Sequence, residues 1–198
     1  MLAPAMAHTP LRFATSNADK IREFSEWLGV PIEPVAMELV EMQGTDLEAI
    51  VRHKLVQARE KVRGPVLVED TSLRFLAWGA LPGPFIKHVV ENMGLMGLVD
   101  ALSPSRNWAA EAACGIGYFD GKTEHYVEGR VPGMAVLPMG EHGWGWDPIF
   151  RPHGSGRTYG EMRPDEKKAK SMRAVALQKL GPLVANQPAF QRSAVAVT

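Results

Sequence analysis

The sequence predicts an α/β fold in which a mixed sheet is flanked by helices. Three observations carry that expectation. The first thirty residues read as strand, polar turn and helix. Pro65 to Val68 is a short apolar run, rich in β-branched residues and entered directly from a helix. Two longer runs of strand character flank Asp120-Gly121 as a hairpin. Strand–helix units favour parallel pairing and a hairpin requires antiparallel pairing, so a sheet holding both is mixed.

Each element has its own signal. Leu11 to Thr15 is the first strand. Ser16-Asn17 offers a helix cap, Ile21, Phe24 and Leu28 follow at helical spacing, and Gly29 closes the helix. Asp46 caps a second helix with an apolar stripe of Leu47, Ile50, Val51, Leu55, Ala58 and Val62. Gly64-Pro65 ends it and opens a strand that stops at Glu69-Asp70. Leu81-Pro82-Gly83-Pro84 turns into a helix with Phe85, Ile86, Val89, Val90 and Met93 on its apolar side and Gly94 as its stop. A short helix around Gly97 to Leu102 then leads into the loop Ser103-Pro104-Ser105. Pro164-Asp165 starts the last helix, with Ala169, Met172, Val175, Ala176 and Leu180 on one side and Gly181 as its stop. One domain over residues 11–185 is expected, with residues 1–10 a loose leader and 186–198 a tail.

Composition narrows the function classes. Hydrophobic residues at 45% and charged residues at 22% are globular values. A formal net charge of +0 supplies no field to attract a nucleic-acid polymer, although a single nucleotide needs only a local basic cluster. No apolar run approaches the roughly 18 residues of a membrane span. The one cysteine, Cys114, excludes a disulfide within the chain, predicts a cytoplasmic location, and in its small apolar run reads as a buried, inert thiol. His53, His88, His125, His142 and His153 lack metal-ligand spacing, so no zinc site is expected.

Several segments could carry chemistry. Glu69-Asp70 at the end of a buried strand would deliver two carboxylates to the crevice where open α/β sheets bind ligands, or would form a solvated acidic turn. Thr15-Ser16-Asn17 with Lys20 groups hydroxyls, an amide and a cation at a helix start, which suits a phosphate or simply caps the helix. Lys54 lies four residues after Ile50 and three after Val51, which puts it on the inward face of its helix; it must snorkel or meet an anion. Glu38 and Glu41 lie in a loop entering that helix, either solvated or with one of them joining Glu69 and Asp70 around a cation, which leaves open whether Glu38 or Glu69 completes the metal shell. Trp144, Gly145, Trp146 and Asp147 form a glycine-aromatic loop, readable as a stacking platform for a base or as an aromatic satellite core. The charged start of the last helix, with Lys167 and Arg173, bears on chemistry only if those two face the cleft.

Together these segments resemble the inosine triphosphate pyrophosphatase family, whose members hydrolyse non-standard purine nucleoside triphosphates to the monophosphate and pyrophosphate. The resemblance runs from about Phe13 to Leu180. It rests on an ordered set: Thr15-Ser16-Asn17 with Lys20, Glu41, Lys54, Glu69-Asp70-Thr71, Leu81-Pro82-Gly83-Pro84 with Lys87, Gly145-Trp146-Asp147-Pro148, Thr158 with Glu161-Met162, and Glu166-Lys167 with Ser171 and Arg173. It implies an elongated fold of two lobes with a central nucleotide cleft, a homodimer and a magnesium requirement. By the same resemblance, Thr15, Ser16, Asn17 and Lys20 would hold phosphates, and Glu41 and Asp70 would ligate magnesium. Asp70 would also accept the proton of the attacking water. Lys54, Thr71, Lys87 and Lys167 would contact the nucleotide, mostly its phosphates. Trp144 to Asp147 would line the base pocket and Arg173 would recognise the base.

One departure stands out. The family reads Ser-His-Arg where this chain has Ser171-Met172-Arg173, so the resemblance carries Met172 to a base-proximal position that methionine fills without a strong hydrogen bond. Met172 also lies on the apolar side of its helix, where a plain packing role is available. The activity expected is magnesium-dependent hydrolysis between the α- and β-phosphates. Its rivals are a pyrophosphatase of different base preference and a nucleotide-binding module without turnover.

Overall fold

The computed structural model describes residues 10–186, so the expectations for the leader and for the tail beyond Asn186 lie outside the described residues. In chain order the main elements are β1 (Leu11–Phe13), α1 (Ala18–Leu28), β2 (Ile32–Pro34), α2 (Leu47–Lys61), β3 (Val66–Phe75), β4 (Pro82–Gly83), α3 (Ile86–Leu102), β5 (Ala109–Phe119), β6 (Glu124–Ala135), β7 (Phe150–Pro152), α4 (Pro164–Lys170) and α5 (Met172–Ala185). The strands form one mixed sheet in the order β2-β1-β3-β5-β6-β7, with β4 also on β3. β1 pairs β2 and β3 in parallel, and the remaining pairs are antiparallel.

β3 organises the molecule. Sequence alone ends this strand at Asp70, but it runs on to Phe75 and pairs with β5 along its whole length. Its carboxylates therefore sit mid-strand, which is tolerable because cations from two helices meet them. On its other side β3 meets β1 through Val66 and Leu67 and β4 through Leu73 and Arg74. Between these two contacts residues 68–72 have no strand partner on that side among the described residues, and the gap is where the cleft opens.

Helices cover both faces. Val66 and Val68 of β3 pack against Val51, Leu55 and Ala58 of α2, while Leu67, Leu73 and Phe75, at alternate positions, join the larger core with Ala176, Leu177 and Leu180 of α5. Two close approaches set how near the helices lie. A Cβ on Gly117 would be 2.9 Å from Val68 Cγ2 and 3.1 Å from Val51 Cγ1, so the bare β5 backbone lets α2 settle onto the sheet. On the opposite face a Cβ on Gly129 would be 2.0 Å from the Met172 carbonyl oxygen, so β6 admits the first turn of α5.

The caps at Asn17 and Asp46 form as read, Asn17 accepting two backbone N–H groups of its helix and Asp46 one, and Gly29 closes α1 in the left-handed conformation. Gly94 interrupts α3 with φ 70°, but Met93 is exposed, so the apolar side of this helix is shorter than its sequence suggests. The last helix is two helices. Ser171 is extended and its hydroxyl accepts from Ala174 N–H at 3.1 Å, which ends α4 and caps α5. Gly181 is not a stop, because α5 continues through Pro182 to Ala185, and Ala169 on α4 is exposed.

Candidate active site

Asp70 and Glu69 are neighbours on β3 and point to opposite faces of the sheet. Asp70 faces α2. The Lys54 ammonium donates to Asp70 Oδ2 at 2.7 Å and to Glu41 Oε1 at 2.8 Å, while the Thr71 N–H donates to Asp70 Oδ1 at 2.8 Å. Lys54 is 8% exposed, as its inward position on α2 requires. Burial works against its charge, but Asp70 and Glu41 outweigh burial and hold its pKa above the ordinary lysine value. The bond from Lys54 likewise keeps the Glu41 carboxyl below the usual carboxylate range. The loop carrying Glu41 is tied down by Gln57, which accepts from the Val40 N–H at 2.8 Å and donates to the Val40 carbonyl at 2.9 Å. Lys61 adds a bond to the Glu38 carbonyl at 2.6 Å. Lys54, Gln57 and Lys61 lie at i, i+3 and i+7, so one stripe of α2 holds both the acid pair and its loop.

Glu69 faces α5 and is fully buried against cations. Arg173 donates from Nε at 3.1 Å and from a terminal nitrogen at 2.9 Å to Glu69 Oε1, and Lys20 ion-pairs with Oε2. The other terminal nitrogen of Arg173 donates to Glu23 at 2.7 Å. Burial alone would raise the Glu69 carboxyl, yet Lys20 and Arg173 bring it down to about 2. Burial opposes the Arg173 charge too, but Glu69 more than compensates and its pKa is raised. Cys114 is free and buried as expected; its thiol donates to Glu69 Oε1 at 3.3 Å, and burial, then Glu69, push its pKa well up.

The loop from Gly143 divides its two tryptophans. Trp146 is buried against Phe150 and Tyr159, with ring centroids at 5.7 and 6.3 Å, and is mainly a core residue with an edge on the cleft. Trp144 is 44% exposed, with Lys20, Lys167 and Arg173 cations 5.8, 5.6 and 5.4 Å from its ring centre. Asp147 is buried; its Oδ2 accepts from the Trp144 N–H at 2.8 Å and pairs with Lys167, so it fastens the loop from beneath.

These groups meet at one cleft. A hollow of about 480 Å³ is lined by Asn17, Lys20, Glu41, Lys54, Glu69, Asp70, Thr71, Lys87, Trp144, Gly145 and Trp146. A more open hollow of about 810 Å³ shares Lys20, Glu41, Lys54 and Lys87 with it and adds Thr15 and Ser16. Lys167 lines a third, of about 430 Å³, on which Trp144 and Glu23 also border. Two residues differ from what the resemblance implies. Met172 is a buried core residue and lines none of these hollows, so packing accounts for it. Arg173 is 2% exposed with its guanidinium fixed between Glu69 and Glu23, and its approach to the cleft is by way of the Trp144 ring.

Glu23 and Gln57 were missed by sequence reasoning. Each lies three residues after a predicted cation on the same helix, Lys20 and Lys54, and that spacing was the available signal. Among the described residues no cluster of three or more acidic, histidine or cysteine groups converges, so neither Glu38 nor Glu69 completes a three-acid site with Glu41 and Asp70.

Residues 11–183 match the Ham1 family. The chain belongs to the Ham1 family. An inosine triphosphate pyrophosphatase of Fusarium vanettenii is 41% identical over 179 residues, covering 88% of this chain and 96% of that protein. One from Neurospora crassa is 40% identical over 184 residues, covering 91% and 95%. Among solved structures, a nucleoside-triphosphatase and dITP/XTP pyrophosphatase of Mycobacterium abscessus superposes with a TM-score of 0.72 at 28% identity, covering 88% of this chain and 100% of that one. A Ham1 protein of Coxiella burnetii shares the fold, with a TM-score of 0.76 at 24% identity over 89% of this chain and 98% of its own. No helix among the described residues is long and apolar enough to cross a membrane.

Proposed function

We propose that this Ham1 protein hydrolyses non-standard purine nucleoside triphosphates, such as those of hypoxanthine and xanthine, to the monophosphate and pyrophosphate, with magnesium. The observation that carries the reading is the convergence of Asp70 and Glu41 on a single cation, the Lys54 ammonium, at the cleft floor. Two carboxylate oxygens that already share one cation suit magnesium, which takes one or two carboxylates and completes its shell with substrate phosphate and water. Asp70 and Glu41 would hold it, and when bound it supplies positive charge to the phosphates and activates water.

The rest of the chemistry belongs to the side chains. Lys20, Lys54 and Lys87, with the hydroxyls and N–H groups of the Thr15-Ser16-Asn17 turn, balance the triphosphate charge. Asp70, pinned through Thr71, orients the attacking water and accepts its proton. The new oxygen–phosphorus bond forms at the α-phosphate as the α–β bridge breaks, and pyrophosphate leaves against the lysines. The base lies on the exposed Trp144 ring. An oxo group at purine C6 is an acceptor and meets the Lys167 ammonium beside that ring, whereas an amino group would set donor against donor; Arg173, whose nitrogens are committed to Glu69 and Glu23, acts through the Trp144 ring. A homodimer in the cytoplasm, without a nucleic-acid polymer or membrane partner, belongs to the same proposal.

The test is a pyrophosphate-release panel of inosine, deoxyinosine, xanthosine, adenosine and guanosine triphosphates, with magnesium and with EDTA. The expected result is turnover of the 6-oxo non-standard purines that EDTA abolishes. A folded protein that binds these nucleotides and releases no pyrophosphate would overturn the reading.

A further inference from the structure

We propose that Lys54 is a latch on the cation site: in the free protein its ammonium holds Glu41 and Asp70 together, and a triphosphate must draw it off before a divalent cation can take both carboxylates. The inference rests on reading the cleft as a triphosphate and magnesium site. Lys54 bonds the same two carboxylates that the cation needs, at 2.7 and 2.8 Å. Lys54 occupies Glu41 Oε1 and Asp70 Oδ2, and an ammonium and a dication held by one pair of carboxylates repel each other, so each occupancy weakens the other.

The neighbourhood lets the ammonium move but does not let it be bypassed. α2 sits close on β5 over Gly115 and Gly117, so the Lys54 stem enters from the floor of the cleft and is largely buried. Its tip borders both main hollows, where a phosphate chain would meet it beside Lys20 and Lys87. Lys20 is engaged by Glu69 and Lys61 by the Glu38 carbonyl, which leaves Lys54 as the lysine whose transfer to phosphate uncovers the acids. Nucleotide and cation binding are thereby coupled through one side chain, and by linkage the coupling is reciprocal. The free protein is kept from holding a divalent ion unproductively, and the site opens when the anionic substrate arrives.

The probe is Mn²⁺ alone, titrated into nucleotide-free protein and followed by the electron paramagnetic resonance of the free ion. Lys54→Met should bind Mn²⁺ about tenfold or more tightly than the unmutated protein, within the usual range of such couplings. Adding Asp70→Asn should remove the gain. Lys54→Gln serves if the methionine variant does not fold. Equal or weaker Mn²⁺ binding by a folded variant overturns the latch. In the unmutated protein, inosine triphosphate added in EDTA should shift the Lys54 ammonium signal in ¹⁵N-lysine NMR, and an unmoved signal at saturating nucleotide also overturns it. Turnover separates this inference from the one beneath it. A turning-over protein whose Lys54 variants bind Mn²⁺ no more tightly refutes the latch alone, whereas tighter Mn²⁺ binding without turnover supports the latch and refutes the pyrophosphatase.

Discussion

Glu69 and Asp70 are adjacent in sequence and identical in charge, yet they differ in nearly every physical respect. Asp70 is partly exposed at a cleft and shares the Lys54 ammonium with Glu41; the Glu69 side chain is buried and bound by Arg173 of α5 and Lys20 of α1. The pleat of one strand sends one acid to each face, and each face supplies a different helix. An acid whose counter-ion can leave is available to a ligand. An acid whose own side chain is buried, with both oxygens bound by cations, is structural, and its contribution is to fix Lys20 and Arg173 around Trp144.

That contrast can be broken from either side. The largest effect is expected at Asp70: Asp70→Asn should lower the rate of pyrophosphate release by roughly a hundredfold or more while the protein stays folded, as initial rates and a thermal melt would show. Next is Glu69→Gln, which leaves a buried guanidinium short of a partner. It should destabilise the fold by roughly 3–5 kcal/mol, read by urea denaturation. Because the folded Glu69 carboxyl titrates near 2, below its ordinary value, its stabilisation is complete above the unfolded pKa and is lost as the pH falls from there toward 2. The stability gap between wild type and Glu69→Gln should therefore close on acidification, and a gap that widened would contradict the assignment.

The helix seats differ in the same way. Gly129→Ala forces a Cβ against backbone at 2.0 Å, whereas Gly115→Ala meets the Tyr126 hydroxyl at 2.9 Å and Val51 Cγ2 at 3.1 Å. Gly129→Ala should cost more than the roughly 1–3 kcal/mol of ordinary overpacking, and Gly115→Ala should fall within that range, as melts of the two variants would show. The smallest effect is expected at Gln57→Ala. It removes two exposed bonds to Val40 for about 1 kcal/mol of stability, and frees the Glu41 loop so that KM rises more than kcat falls.

What could be read in the sequence was local. The caps at Asn17 and Asp46, the inward Lys54 and the hairpin around Asp120 all follow from periodicities of a few residues, and all are present. The position of Asp70 at a cleft was also legible, although for a different reason: the strand does not end there, but its neighbouring strand does. The partners of Glu69 were not legible. Arg173 is 104 residues away and pairs in turn with Glu23, 150 residues from it, and only the fold brings them together. Nor did sequence distinguish Trp144 from Trp146, since Phe150 and Tyr159 decide which ring is covered. The break at Ser171 was hidden because apolar positions continue on both sides of it.

The most direct test of the division between the two acids compares their variants at saturating inosine triphosphate and magnesium. Pyrophosphate release by Glu69→Gln and Asp70→Asn would be measured side by side, each normalised to its folded fraction. Glu69→Gln should keep a maximal rate at least about tenfold above that of Asp70→Asn, because the group it removes does not touch the reacting phosphate. Equal rates, or a slower Glu69→Gln, would contradict that division.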